Sequence, residues 1–188
     1  RHTVQIGISR WGGYAEFVVA PASSADPIPD NLSYGEAAVF LRHFPTAFQL
    51  LGQKAGLKSK EWVLIMGSGG GLGSTGVQAA KLMGATVIAG AGADDRLQVG
   101  MDMGADHGIN YRGNDLTEEV MRITGGRGVD VVFENISDPT TWPKALACLT
   151  HRGRMVTAGA HGGGTVPLNV HSLYINRWQI IGGAGAGA

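Results

Sequence analysis

Two periods of hydrophobic positions alternate along this chain. From Glu61 onward, short apolar runs are followed by stretches in which apolar residues recur every three or four positions. Trp62–Met66 is an unbroken apolar run closed by glycine and too short for a helix, so it reads as a buried strand. Behind it Val77, Ala80, Lys81 and Met83 fall at helical spacing, and Gly84 stands where a helix C-cap glycine belongs. Thr86–Ala89 predicts a second strand and Asp94–Met103 a helix stopped by Gly104. His107–Tyr111 is a third strand, and Asp115 with Glu118 caps a helix that runs to Ile123. Val129–Glu134 is the fourth strand, Pro139–Leu149 a helix, Arg154–Ala158 the fifth strand and Trp178–Ile181 the sixth. Strands alternating with single helices predict an α/β fold: a doubly wound, parallel, six-stranded sheet with ligand at the carboxyl ends of its strands.

The chain before Glu61 follows another pattern. Residues 1–30 read as β, with Ala15–Ala20 strand-like between Gly12-Gly13 and Pro21. Ser33 with Glu36 is a capping box opening a helix to about Leu41. Pro45 is expected to interrupt it, and Thr46–Lys54 to form a second helix ending at Gly56.

Bulk properties narrow the function. The 188 residues carry 15 Lys+Arg and 15 Asp+Glu, so nothing points to a nucleic-acid or membrane-surface partner. No apolar run approaches about 18 residues, which excludes a transmembrane helix. The single cysteine, Cys148, rules out an internal disulfide and suits a reducing, cytoplasmic compartment. It lies on an apolar helical stretch, as a buried structural thiol would. The chain starts at Arg1 and ends in a Gly/Ala run, so a piece of a longer protein is expected, with a true flexible tail as the alternative.

The candidate chemistry lies in Glu61–Gly84. Gly67, Ser68, Gly69, Gly70, Gly71, Leu72 and Gly73 sit between the first strand and the helix behind it. Glycines there let backbone approach a pyrophosphate, and the helix N-terminus offers N–H groups to the anion. Gly71-Leu72-Gly73-Ser74-Thr75-Gly76 matches G-x-G-x-x-G, and Gly67, Gly70 and Gly73 give a second spacing. With 31 glycines, chance matches abound, and a purely structural turn is the competing reading; the strand before and helix after favour a nucleotide.

These residues resemble the medium-chain dehydrogenase/reductase superfamily, especially its quinone oxidoreductase and zinc-type alcohol dehydrogenase-like branches. The resemblance is carried by Gly12–Val18, Glu36–Ala38, Thr46–Phe48, the glycine stretch, Gly104–His107, Ile109–Arg112, Thr124–Val132 and Gly153–Val156. It implies that residues 1–44 are a partial remnant of a GroES-like β substrate domain and residues 45–188 a Rossmann dinucleotide-binding domain. By the same resemblance Ser68, Gly70, Gly71, Leu72 and Gly73 are cofactor contacts, and Thr46 lies near the nicotinamide ring. Asn135, Gly159 and Ala160, after the fourth and fifth strands, are expected beside the ring and its ribose. An NAD enzyme needs an acid at the end of the second strand, and neither Gly90 nor Ala91 is one. Arg96 and the Tyr111-Arg112 segment stand where family members hold a 2′-phosphate, so NADP(H) is preferred with NAD(H) possible; Asp94 and Asp95 count the other way.

Zinc is not expected. In the alcohol dehydrogenases a cysteine ligand precedes the threonine by four residues, and this chain has Arg42 there. The implied enzyme transfers hydride between NADP(H) and a quinone or carbonyl-conjugated substrate, and pairs through its sixth strand as a homodimer. Tyr14, Tyr34 and His43 are the available proton donors and none stands out. A zinc-dependent alcohol dehydrogenase using NAD(P) and a silent nucleotide-binding relative are the alternatives.

Overall fold

The structure, a computed structural model, describes residues 11–184. Helix α1 (Tyr34–Phe48) runs into a π-helical segment (Gln49–Lys54), followed by β1 (Trp62–Met66), α2 (Gly71–Leu82), β2 (Thr86–Ala91) and α3 (Asp94–Asp102). Then come β3 (His107–Asn110), α4 (Leu116–Ile123), β4 (Val129–Glu134), α5 (Thr141–Ala147), β5 (Leu149–Thr157), α6 (Val170–Ile175) and β6 (Gln179–Gly182). All pairings are parallel and the order is β3-β2-β1-β4-β5-β6, the doubly wound Rossmann sheet.

Every strand but β3 feeds two cores. Along β1 the side chains alternate: Val63 and Ile65 join Leu50, Val77, Ala80 and Phe133 on one face, and Leu64 and Met66 join Ile88, Val132, Trp142 and Met155 on the other. Covering both faces is what requires a continuous apolar run rather than an alternating one. Gly76 brings α2 close to the sheet, because a Cβ there would lie 3.0 Å from the Phe133 ring. Among the described residues, no helix is long and apolar enough to cross a membrane.

The N-terminal part departs from expectation. Residues 11–32 hold one 3₁₀ turn, Ala22–Ser24, and no strand, so Ala15–Ala20 is not a strand here; residues 1–10 lie outside the described region. Phe17 and Val19 are 89% and 83% exposed, and among the described residues nothing pairs with the segment, so it lacks the ladder that makes a strand. Pro45 does not interrupt α1. It lies on the exposed side with Leu41, where water can meet the carbonyl that proline leaves unbonded. The division expected after residue 44 therefore falls inside a continuous helix that begins with the predicted capping box, Ser33 Oγ accepting from Glu36 N.

Smaller differences follow from local chemistry. β5 starts at Leu149, five residues before the expected Arg154, because a register shift against β4 absorbs the left-handed Arg152 (φ 62°). Helix α6, absent from the sequence reading, opens on Asn169, whose Oδ1 accepts from Ser172 N at 3.0 Å.

Candidate functional site

The strand order reverses between β1 and β4, and a cleft of about 560 Å³ opens there at the carboxyl ends of the strands. Its floor is the glycine turn. Gly67 takes φ 65°, Ser68 N donates to Gly90 O at 3.0 Å, and Gly70 N donates to Gly67 O at 2.9 Å. Gly70 then becomes the N-cap of α2, and no side chain caps the first N–H groups of the helix. Gly69 has no room for a side chain, since a Cβ would lie 2.5 Å from Arg96 O. Gly73 has none either, because its Cβ would overlap the Gly67 carbonyl. A backbone cradle with side chains excluded, ahead of a helix N-terminus, fits a pyrophosphate.

One wall is cationic. Arg96 on α3 lines the cleft with Tyr111 and Arg112, which follow β3, with Ala91 at the end of β2, and with Gly92 and Ala93 after it. Gly92 leaves the space: a Cβ there would lie 3.2 Å from the Tyr111 hydroxyl and 3.3 Å from Arg112 Nε. Burial pushes the Tyr111 hydroxyl above its ordinary pKa, with Arg112 opposing, so it is a neutral donor at pH 7. Asp95 lines the same wall.

The facing wall is the turn after β4. Asn135 Nδ2 donates to Met66 O at 2.7 Å, locking that turn to the glycine loop. Ile136 and His161 complete the wall.

Of the residues expected from sequence, the cleft brings together Gly70, Arg96, Tyr111 and Asn135. The others lie around it. Ser68 is fully buried, and its hydroxyl faces Gly100 on α3 rather than the cleft. Gly71 starts α2 under the His43 ring, 2.9 Å from where its Cβ would be. Leu72 packs against the α1/α2 core, and Gly73 is buried. Thr46 is buried on α1, its hydroxyl donating to Arg42 O at 3.2 Å. Gly159 backs onto Asn135 O, and Ala160 follows it, exposed. Cleft residues the sequence reading did not expect as cofactor contacts include Gly69, Ile136 and His161, and Asp95, which it weighed only as a charge against a 2′-phosphate. Gly69 lay inside the glycine run, and His161 lay two residues past Gly159, so position after a strand end was the available signal.

Residues 71–187 match the zinc-binding dehydrogenase family. The chain belongs to the medium-chain dehydrogenase/reductase superfamily. It is 34% identical over 180 residues to the quinone oxidoreductase of Salmonella typhimurium, covering 93% of this chain and 55% of that protein. A crystal structure of an NAD-dependent alcohol dehydrogenase superposes with a TM-score of 0.88 at 34% identity, over 97% of this chain and 53% of that one. The Escherichia coli quinone oxidoreductase complexed with NADPH gives 0.75 at 32% identity, over 83% and 48%. The chain thus spans about half the length of the curated relatives it matches. Among the described residues of this dehydrogenase/reductase chain, no three His, Cys, Asp or Glu side chains gather as a metal site would require.

Proposed function

We propose that this chain is the cofactor-binding part of an oxidoreductase that transfers hydride between NADP(H) and a quinone or carbonyl-conjugated substrate. The observation that carries the NADP(H) preference is the cationic wall: Arg96, Arg112 and the neutral Tyr111 hydroxyl surround the space left by Gly92, and Ala91 stands where an NAD enzyme needs an acid. A 2′-phosphate there accepts charge-assisted hydrogen bonds from both guanidinium groups. Asp95 opposes this, but with Asp94 it stands in the first turn of α3, where acids complement the helix dipole.

The nicotinamide supplies the hydride chemistry when bound. The chain's own residues bind and orient. Gly69, Gly70 and the first turn of α2 hold the pyrophosphate, with Gly71, Leu72 and Gly73 fixing the turn. Asn135, Gly159 and Ala160 shape the nicotinamide end, and Thr46 closes it from α1. Arg42 in place of a cysteine ligand supports a substrate with an electron-poor double bond over an alcohol; quinone oxidoreductases and a 2-haloacrylate reductase are among the relatives, beside alcohol dehydrogenases of similar identity. Residues 1–44 are read as part of a GroES-like substrate domain, a view supported by the bare apolar side chains of Trp11 and Phe17. The open edge of β6 suits pairing with a second copy in a reducing, cytoplasmic setting.

The test is a fluorescence titration with NADPH and NADH. NADPH should bind at least roughly tenfold more tightly, and Arg96→Ala and Arg112→Ala should each remove about tenfold of that preference. Equal affinity for both nucleotides, unchanged by either substitution, refutes the assignment.

A further inference from the structure

Glu134 is 1% exposed at the carboxyl end of β4, and the cofactor reading gives it no part. A carboxyl buried that deeply must be hydrogen-bonded, and here its partners are the turn after β4 and the end of β5. Its Oε1 accepts from the backbone N–H of Ile136 and of Ser137, both at 2.9 Å. Its Oε2 accepts from the Thr157 hydroxyl at 3.1 Å, at the end of β5. The Ser137 hydroxyl lies 3.4 Å from Oε2 but 2.7 Å from Gly159 O, and its single hydrogen belongs to the shorter contact. Ser137 itself is left-handed, at φ 54°, a conformation that a serine holds only when its surroundings impose it.

We infer that Glu134 is a positioning residue for the nicotinamide end of the cleft. The turn it pins carries Asn135, whose side chain ties the glycine loop through Met66 O. The same turn is tied to the β5 loop by Ser137 on Gly159 O. One buried carboxyl therefore sets the spacing of the loops after β1, β4 and β5. Arg96, Tyr111 and Arg112, which build the adenosine end on α3 and after β3, share no hydrogen bond with it. Loss of Glu134 should weaken the grip on the nicotinamide half of a dinucleotide and spare the other half. This rests on the NADP(H) reading above.

The experiment compares NADPH with 2′,5′-ADP, which carries the 2′-phosphate and no nicotinamide. Glu134→Ala should weaken NADPH about tenfold, roughly 1.4 kcal/mol, and leave 2′,5′-ADP within about twofold. Glu134→Gln keeps an oxygen for the two N–H groups and should recover NADPH to within about threefold of wild type, because what matters is the acceptor geometry. If Glu134→Ala does not fold, Thr157→Val carries the same test, with NADPH about threefold weaker and 2′,5′-ADP unchanged. Equal losses for both ligands, or no loss of NADPH, overturn the inference while the cofactor reading stands. A wild-type chain that binds neither NADPH nor 2′,5′-ADP overturns both.

Discussion

Gly73→Ala should lower the stability of the whole domain, although the residue has no side chain and lies in a helix, where alanine is ordinarily preferred. A Cβ at this position would overlap the Gly67 carbonyl and lie 2.7 Å from the Gly67 carbonyl carbon and 2.9 Å from Ser68 Cα. These are backbone atoms of a turn that is itself pinned by Ser68 N on Gly90 O, so relief requires moving the loop or the helix. Overpacking of this kind costs about 3 kcal/mol, and the helical preference for alanine returns about 1 kcal/mol, leaving a net loss of about 2 kcal/mol. For a domain of this size that is a fall in melting temperature of roughly 4–8 °C. Gly70→Ala is the control. Its Cβ would meet only Gly67 O, at 3.4 Å, and the N-cap φ of −89° suits any residue, so the loss should stay under about 1 kcal/mol. Thermal unfolding followed by circular dichroism measures both. A Gly73→Ala domain melting at or above the wild-type temperature would show that the turn is not packed as described and remove Gly73 from its role.

Two further outcomes concern single groups. Burial alone raises the Asp130 carboxyl, but the Arg127 guanidinium at 2.6 Å and the Trp62 N–H at 2.9 Å outweigh it and hold the pKa below the ordinary value. Its stabilisation is therefore complete above the unfolded carboxyl value of about 3.9 and is lost as pH falls through the folded one. Asp130→Asn should cost about 1–2 kcal/mol at pH 7, with the gap closing below about pH 4; urea midpoints that differ equally at pH 7 and pH 3 contradict this. Burial pushes the Cys148 thiol up to about 12, so it should resist a disulfide-exchange reagent at pH 8 in the folded chain and react fully in denaturant; fast reaction in the native state would place it elsewhere.

The sheet could be read from sequence because its central strands β1, β2 and β4 are buried on both faces, and such strands are written as near-continuous apolar runs. The segment before Glu61 could not. Its apolar residues spell a strand that nothing among the described residues pairs with, and Pro45 signals a break that exposure makes tolerable. The cleft was half legible. Arg96 and Tyr111 follow strand ends at the expected distance, while Ser68, also in the motif, is turned inward by packing against Gly100 that no spacing reveals. Glu134 read as the end of an apolar strand, because its importance lies in the loops it joins, and sequence places those 23 residues apart.

The sheet order also matters while the chain is being made. β1 lies between β2 and β4, and the bond from Trp62 N to Asp130 Oδ2 joins residues 68 apart. At about 5–20 residues per second, the ribosome delivers that partner roughly 3–14 s after β1 itself. For that interval β3, β2 and β1 can pair, but the far edge of Val63–Met66, among the most apolar in the chain, has no neighbour. A nascent chain stalled before Val129 would present that edge to chaperones or to other chains, whereas one stalled after Thr157 would have covered it.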